Sequence, residues 1–114
     1  MKFTLEIESG AYANDKDLRR YIEALQLITN RMSVSHYKYG PLGDKFPHSM
    51  KSIVQMEARE QAYHATMNTE HMLDAANYAL IEFLFPSYKD AYFKALESHE
   101  SPKVIWGGTD DEHS

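Results

Sequence analysis

The chain has 114 residues, a hydrophobic fraction of 43% and a formal net charge of −5, which together support one compact globular domain but not two. The negative charge argues against a non-specific grip on nucleic acid or on an anionic membrane. Because the chain contains no cysteine, disulfides and thiolate zinc sites are excluded. No apolar run approaches the roughly 20 residues that span a bilayer, and the first residues do not resemble a signal peptide, so we expect a cytoplasmic protein.

The chain begins with a segment in which apolar and polar residues alternate. Phe3, Leu5 and Ile7 are each flanked by polar residues within 2–8, a period of two that is typical of a strand with one apolar face. Because a single strand is not stable alone, this strand needs a partner. The alternatives are residues 104–106 near the C-terminus and the same strand of a second subunit.

The next segment has the spacing of an amphipathic helix. Asn14 or Asp15 is suited to cap its N-terminus, and apolar residues recur at helical spacing as far as Met32. We therefore predict a helix that ends near Met32 or Ser33 and serves packing. Arg31, close to its end, is expected to interact with the helix dipole or with a phosphate.

A loop is predicted over residues 35–48, which contain two glycines and two prolines. The segment also carries aromatic and basic side chains, the types that stack on a base and reach phosphates. Lys38, Tyr39 and Lys45 are the candidate ligand-binding residues here. A plain connector is the alternative, because the glycine spacing does not match that of a phosphate-binding loop.

The most informative pattern lies in two helical segments joined by a short polar turn. The first is predicted from Ser49 to about Met67, and on it Glu57 and Glu60 fall on the same side as the apolar residues. An unpartnered buried carboxylate is strongly unfavourable. We therefore expect these acids either to hold a divalent metal together or to pair with Arg or Lys at a helix or subunit interface.

The second helix of the pair repeats the acidic pattern. Glu70, Asp74 and Asn77 lie along one line, and antiparallel packing would bring this line close to the acids of the first helix. His64 and His71 lie on either side of the turn, and their spacing is not that of a zinc motif. The alternatives are that they meet across the turn or that each is an ordinary helix histidine. The alternative for this line is a solvated helix face.

The ends of the remaining elements follow from local signals. Thr69 is suited to cap the second helix of the pair, which is predicted to continue to Phe85 before a proline. Ser87 is suited to cap a short fourth helix that reaches about Leu96. The composition then changes to serine, glycine and acidic residues. We therefore expect one helical domain over 1–97 and an extended acidic tail over 98–114.

Residues 63–83 resemble a helical segment of small phage proteins. Those proteins are in turn similar to the MazG-like all-α nucleoside triphosphate pyrophosphohydrolases, and the similarity extends over about 49–85. In that superfamily one helix carries a Glu-x-x-Glu pair and the next carries an acid and an Asp. Together these side chains hold magnesium ions that activate water against the link between the α and β phosphates.

Two pairs of acids carry this resemblance. Glu57-Ala-Arg-Glu60 matches the first element, and Glu70-His-Met-Leu-Asp74 approximates the second. The second pair is one residue too widely spaced, and His71 stands where the superfamily has an acid. The resemblance implies a magnesium site at these four carboxylates, with Glu57, Glu60 and Asp74 as the catalytic residues.

The resemblance also implies a fold and a function. The fold is mainly α, a four-helix MazG-like bundle with one short N-terminal strand. The expected function is metal-dependent nucleotide binding, with pyrophosphohydrolysis of a nucleoside or deoxynucleoside triphosphate. The side chains expected to contact the nucleotide are Lys38, Tyr39, Lys45, His64, His71 and Asn77.

Two hypotheses of other classes remain open. One is a phage-type interaction protein without catalysis, which sequesters a nucleotide signal or blocks a host defence protein with its acidic surface. The other is a structural helical oligomer whose acids pair with arginines across an interface. A homo-oligomer is expected in any case, because association would cover the strand and the amphipathic faces that a chain of this length leaves open.

Overall fold

The computed structural model describes residues 1–40 and 51–102, apart from the side chains of Ala11, His36, Tyr37 and Tyr39. A short 3-10 helix, Ser9–Ala11, precedes three α-helices in this part of the chain: α1 (Asp15–Tyr39), α2 (Ser52–Thr66) and α3 (Glu70–Leu84). Helix α3 is central, because α2 makes its largest contact with α3 and α1 also packs against α3. The prediction of a mainly α protein is confirmed.

The predicted N-terminal strand is wrong for the conformation described. Residues 2–8 are not assigned to a strand, and both Phe3 and Leu5 are exposed. The physical reason is the absence of a neighbouring strand among the described residues, since an isolated strand has no ladder of backbone hydrogen bonds. One predicted partner, residues 104–106, lies outside the described residues, and pairing with a second subunit stays a prediction.

Helix α1 begins as predicted but ends later. The Asn14 side-chain oxygen accepts a hydrogen bond of 2.9 Å from the Asp17 backbone N–H, which confirms Asn14 as the cap. The helix then continues to Tyr39, past the predicted end at Met32 or Ser33. No glycine or proline occurs within α1, and the helix ends just before Gly40, whose φ of +87° lies in the left-handed region. The predicted loop is therefore wrong over 35–39.

Helix α2 is bounded by two residues in the left-handed conformation. Lys51 precedes it with φ of 50° and forms no side-chain cap, whereas the predicted cap, Ser49, lies outside the described residues. Met67 follows it with φ of 60°, and its N–H donates to the Tyr63 carbonyl over 2.7 Å. This C-terminal turn agrees with the predicted end near Met67.

Helix α3 starts and ends within a residue of its predicted limits. Thr69 occupies the capping position, but its side chain does not form the cap bond. The side-chain oxygen of Asn68 instead accepts a hydrogen bond of 3.1 Å from the Glu70 N–H. The helix ends at Leu84, two residues before Pro86, which lacks the N–H that a continuing helix needs.

The predicted fourth helix is wrong, because no helix is present in residues 85–102. Ser87 was expected to cap that helix, but it turns back onto α3. Its N–H donates to Glu82 over 2.7 Å and its hydroxyl donates to the same carboxylate over 2.6 Å. Both contacts hold Ser87 against the end of α3, where it closes that helix rather than starting a new one.

Glu82 also holds the start of α2 against the end of α3. The hydroxyl of Ser52, which is only 2% exposed, donates to the Glu82 carboxylate over 2.7 Å. Burial alone would raise the pKa of Glu82. The hydrogen bonds from Ser87 and Ser52 outweigh that effect and lower the pKa below its ordinary value of 4.5. The charged carboxylate therefore joins α2, α3 and the segment that follows.

We expect the substitution Ser52→Ala to lower the free energy of unfolding by about 1 to 2 kcal/mol, because it removes a hydrogen bond to a charged group. The pKa of Glu82 is lower in the folded protein than in the unfolded chain. The charged carboxylate therefore stabilises the fold fully at pH values above 4.5, and this contribution is lost as the pH falls through the pKa of the folded state. When urea unfolding is measured from about pH 7 to about pH 3, the free energy of unfolding should therefore decrease less with acidification for Glu82→Gln than for the wild type.

Ser33→Ala is the matched control, because Ser33 is exposed and, among the described residues, its hydroxyl donates to the Thr29 carbonyl of its own helix alone. That variant should change stability by no more than about 0.5 kcal/mol. Equal effects of Ser33→Ala and Ser52→Ala would contradict the role given to the Glu82 junction.

Candidate functional site

A polar cavity of about 180 Å³ lies where the three helices meet. Helix α1 supplies one wall, α3 supplies most of the floor, and α2 contributes one long basic side chain. The lining residues are Arg31, Val34, Ser35, Arg59, Asp74, Asn77, Tyr78 and Ile81. Two guanidinium groups in so small a space make this the candidate site for an anionic ligand.

Arg31 ties α1 to α3 on one side of the cavity. Its Nη2 lies 2.6 Å from Oε1 of Glu70, and its Nε lies 2.8 Å from Oδ1 of Asp74. The two acids are four residues apart, so they lie on one face of α3 and reach the same guanidinium. Asp74 is half-buried, whereas the Glu70 side chain is 61% exposed. The Asp74 contact is therefore the less screened of the two.

Arg59 has no such compensation on the opposite side. Its Nη1 donates a hydrogen bond of 2.6 Å to the Gln55 side-chain oxygen, and its guanidinium carbon lies 5.1 Å from the centre of the Tyr78 ring. Among residues 1–40 and 51–102, no carboxylate oxygen lies within 4.0 Å of it. The guanidinium is held in place by neutral partners, so its positive charge is available to an anionic ligand.

Asn77 supplies an unused acceptor at the base of the same cavity. The residue is 8% exposed, and its side-chain oxygen has no hydrogen-bond partner in the described part of the protein. Leaving a buried polar atom without a partner costs about 1 to 3 kcal/mol. A ligand that donates a hydrogen bond, such as a sugar hydroxyl or a base N–H, would recover that cost.

The prediction that Glu57 and Glu60 face the interior is wrong, because both side chains are exposed. Arg59, which lies between them, is turned inward instead. A long arginine stem covers apolar surface while its charged end stays near polar groups, whereas a short carboxylate in the same position would lose its hydration. This difference explains the orientation of α2.

The predicted magnesium site is not assembled in this arrangement. Glu70 and Asp74 are paired with Arg31, and the exposed Glu57 and Glu60 do not join them within reach of one ion. Over the described ranges, three or more potential ligands come together in one group, Glu97, His99 and Glu100, which is fully exposed. The four predicted carboxylates therefore do not fit a magnesium ion as they stand, although their role stays a prediction.

The other predicted ligand residues separate into two groups. Asn77 lines the cavity, whereas Lys38 and His64 are exposed and His71 is half-buried elsewhere on the helices. The remaining candidates, Tyr39 and Lys45, lie outside the side chains that the structure describes.

Sequence reasoning missed Arg59 and Tyr78 as site residues, and it gave Arg31 only a general role. The available signal was the arginine inside the Glu57-Ala-Arg-Glu60 stretch. Arg59 and the pair Glu57 and Glu60 cannot all face the interior from the same part of α2. The arginine is favoured there, because its long apolar stem can be buried while its charged end stays near polar groups. Weighing the two residue types against each other would have pointed to Arg59.

Comparison with protein-family models, curated proteins and solved structures finds no match to this chain. The resemblance to MazG-like hydrolases therefore stays a prediction. In the described part of the chain, no helix has both the length and the apolar character needed to cross a membrane.

We expect Arg31 and Asp74 to be energetically coupled. A double-mutant cycle with Arg31→Met and Asp74→Asn, measured by urea unfolding, should give a coupling free energy of about 1 kcal/mol that decreases with added salt. The matched control is the exposed pair Lys94 and Glu100, at 3.0 Å, for which we expect a smaller coupling because water and salt screen it more strongly. Additive effects of Arg31→Met and Asp74→Asn would show that the observed contact contributes nothing to the fold.

Proposed function

We propose that the protein binds a small phosphate-bearing molecule, a nucleotide, in the three-helix cavity and holds it without hydrolysis. The observation that carries this proposal is the guanidinium of Arg59, which lines the cavity without a carboxylate partner among the described residues. Arginine matches the geometry of phosphate with two parallel hydrogen bonds. A phosphate is therefore the natural counter-charge for this side chain.

The other lining groups support a nucleotide over a bare anion. Asn77 presents a buried acceptor without a donor, which suits a sugar hydroxyl or a base N–H. Tyr78 presents an aromatic ring beside Arg59, and aromatic rings bind nucleobases and sugars by stacking and packing. An inorganic anion would use the arginine and leave both of these groups unsatisfied.

The size of the cavity limits how much of the ligand it encloses. Its volume of about 180 Å³ is below the roughly 300 to 1,000 Å³ that is usual for pockets that bury a whole small molecule. We expect the cavity to take the phosphate end together with part of the sugar. The rest of the nucleotide would then extend past the rim.

The contacts of the acidic side chains support binding of the ligand rather than its hydrolysis. Asp74 is the one carboxylate that lines the cavity among the described residues, and Arg31 neutralises it. The Asp74 oxygen already accepts a charge-assisted hydrogen bond from Arg31 Nε over 2.8 Å, so it is not free to bind and orient a water molecule. The site thus offers groups that bind a phosphate but no free group that activates water.

The proposal predicts a charge-dependent affinity. In isothermal titration with nucleoside triphosphates, nucleoside monophosphates, unphosphorylated nucleosides and inorganic phosphate, the phosphorylated nucleosides should bind best. Arg59→Met keeps the length of the stem but removes the charge, and it should weaken binding at least about tenfold, as expected for the loss of a charge-assisted hydrogen bond. Chromatography after incubation should recover the ligand intact.

Arg20→Met is the matched control, because Arg20 is exposed on α1 and lies outside the cavity lining. It removes the same charge from the chain, so it should leave the affinity unchanged. Equal losses in the two variants would indicate a general charge effect rather than a site. No heat with any phosphorylated nucleoside would overturn the proposal.

Metal-dependent hydrolysis is the second candidate. Glu57 and Glu60 have no basic nitrogen within 4.0 Å among the described residues, so both carboxylates are available to a divalent cation. For the predicted site to form, Asp74 would have to leave Arg31 and join them.

This candidate predicts release of pyrophosphate from a nucleoside triphosphate in the presence of Mg²⁺. Glu57→Gln combined with Glu60→Gln should then abolish the release and leave binding of the phosphate end at Arg59 intact. Under the leading proposal the same double variant binds as the wild type does and no pyrophosphate appears in either protein. The measurement of pyrophosphate therefore separates the two candidates.

A further inference from the structure

The described residues bury very little apolar surface. Ala75 and Ile81 are the buried apolar residues in this part of the chain, and both lie on α3. A protein of this size depends on apolar burial for most of its folding free energy. The three helices therefore need additional apolar contacts beyond those within one described copy.

Six of the exposed apolar side chains in the described residues lie at the end of α3 and in the segment after it. We call this region the C-terminal apolar surface. Its members are between 53% and 85% exposed. They are Phe83, Leu84, Tyr88, Tyr92, Phe93 and Leu96.

Part of this surface, around Phe83 and Phe93, is contiguous. The rings of Phe83 and Phe93 pack edge to face with their centres 5.9 Å apart. A groove of about 610 Å³ runs between the end of α3 and residues 91–94, with Phe83, Leu84 and Tyr92 among its lining. Ordered aromatic rings beside an open groove are typical of a protein interface.

We infer that a second copy of this chain covers the C-terminal apolar surface and that the protein is a homodimer through it. The four aromatic side chains expose on the order of 600 Å² and the leucines raise this toward roughly 800 Å², which is one side of a standard interface. A monomer rarely exposes so large an apolar patch. The area is thus what a stable dimer needs.

A second copy fits better than an unrelated partner for two reasons. A chain that lacks apolar burial needs its partner while it folds, and another copy of the same chain is always present then. The charges within residues 82–96 balance in number, two lysines against Glu82 and Asp90, while Lys94 forms its own ion pair with Glu100 outside this range. A two-fold contact here brings together neutral regions of a chain whose net charge is −5.

The inference is independent of the proposed nucleotide site, because none of the surface residues lines that cavity. Sedimentation equilibrium of the full chain should give the mass of a dimer. Tyr92→Asp, at a residue 85% exposed in one copy, should raise the dissociation constant by about thirtyfold or more, as for an interface hot spot. Its helical circular dichroism at high protein concentration should match that of the wild type.

Val54→Asp is the control, because Val54 is exposed on α2 and lies outside the surface. It should leave the dimer intact. A second measurement uses Tyr88→Cys, which introduces a single thiol into a chain that has none. Mild oxidation should link two copies of Tyr88→Cys, whereas Val54→Cys should remain unlinked.

Three results would overturn the inference. A monomer at all concentrations excludes a second copy. A dimer that Tyr92→Asp leaves unchanged assigns the association to another surface. A thiol at residue 88 that becomes reactive only after deletion of residues 103–114 assigns the surface to the chain's own C-terminal residues.

Discussion

The guanidinium of Arg31 is the contact on which the rest of this arrangement depends. It joins α1 to α3 through two carboxylates at once, with distances of 2.6 and 2.8 Å. Where α1 packs against α3, this interaction helps to fix which part of α1 forms the cavity wall. It also neutralises the only acid that lines the cavity in the described structure. One side chain therefore determines both the packing and the electrostatic character of the site.

At the opposite end of α3 the roles are exchanged, because the charged group there is an acid rather than an arginine. There a single carboxylate, Glu82, accepts hydrogen bonds from Ser52 and Ser87, so neutral hydroxyl and amide donors satisfy a charge. Arg31 anchors α1 to the start of α3, and Glu82 anchors the start of α2 to the end of α3. With few buried apolar side chains, these polar junctions specify the relative positions of the helices, while apolar association with a second copy would supply the missing stabilisation.

Local signals predicted α2, α3 and the start of α1, but they failed for the end of α1, the N-terminal strand and the fourth helix, and they predicted the arrangement of the helix faces poorly. The cap at Asn14 and the break before Pro86 follow from short-range chemistry, which the sequence states directly. Helical spacing, by contrast, shows which residues share one side of a helix, but it does not show which side packs inward. On α2 the acids and Arg59 compete for the interior, and the outcome depends on the ring of Tyr78 on another helix. That contact has no signature in the sequence of α2 alone.

The charges around the cavity explain how an acidic protein would bind a phosphate. Arg31 and Arg59 together offset Glu70 and Asp74, so the region is neutral within a chain of net charge −5. The charges are also separated, with both acids on the Arg31 side and, among the described residues, no carboxylate oxygen within 4.0 Å of Arg59. Under the proposed function, an incoming phosphate would meet Arg59 first. It would then compete for Nη2 of Arg31 with Glu70, which is the more exposed and more screened of the two acids. The contact between Asp74 and Nε would stay in place, so binding would not need to separate α1 from α3.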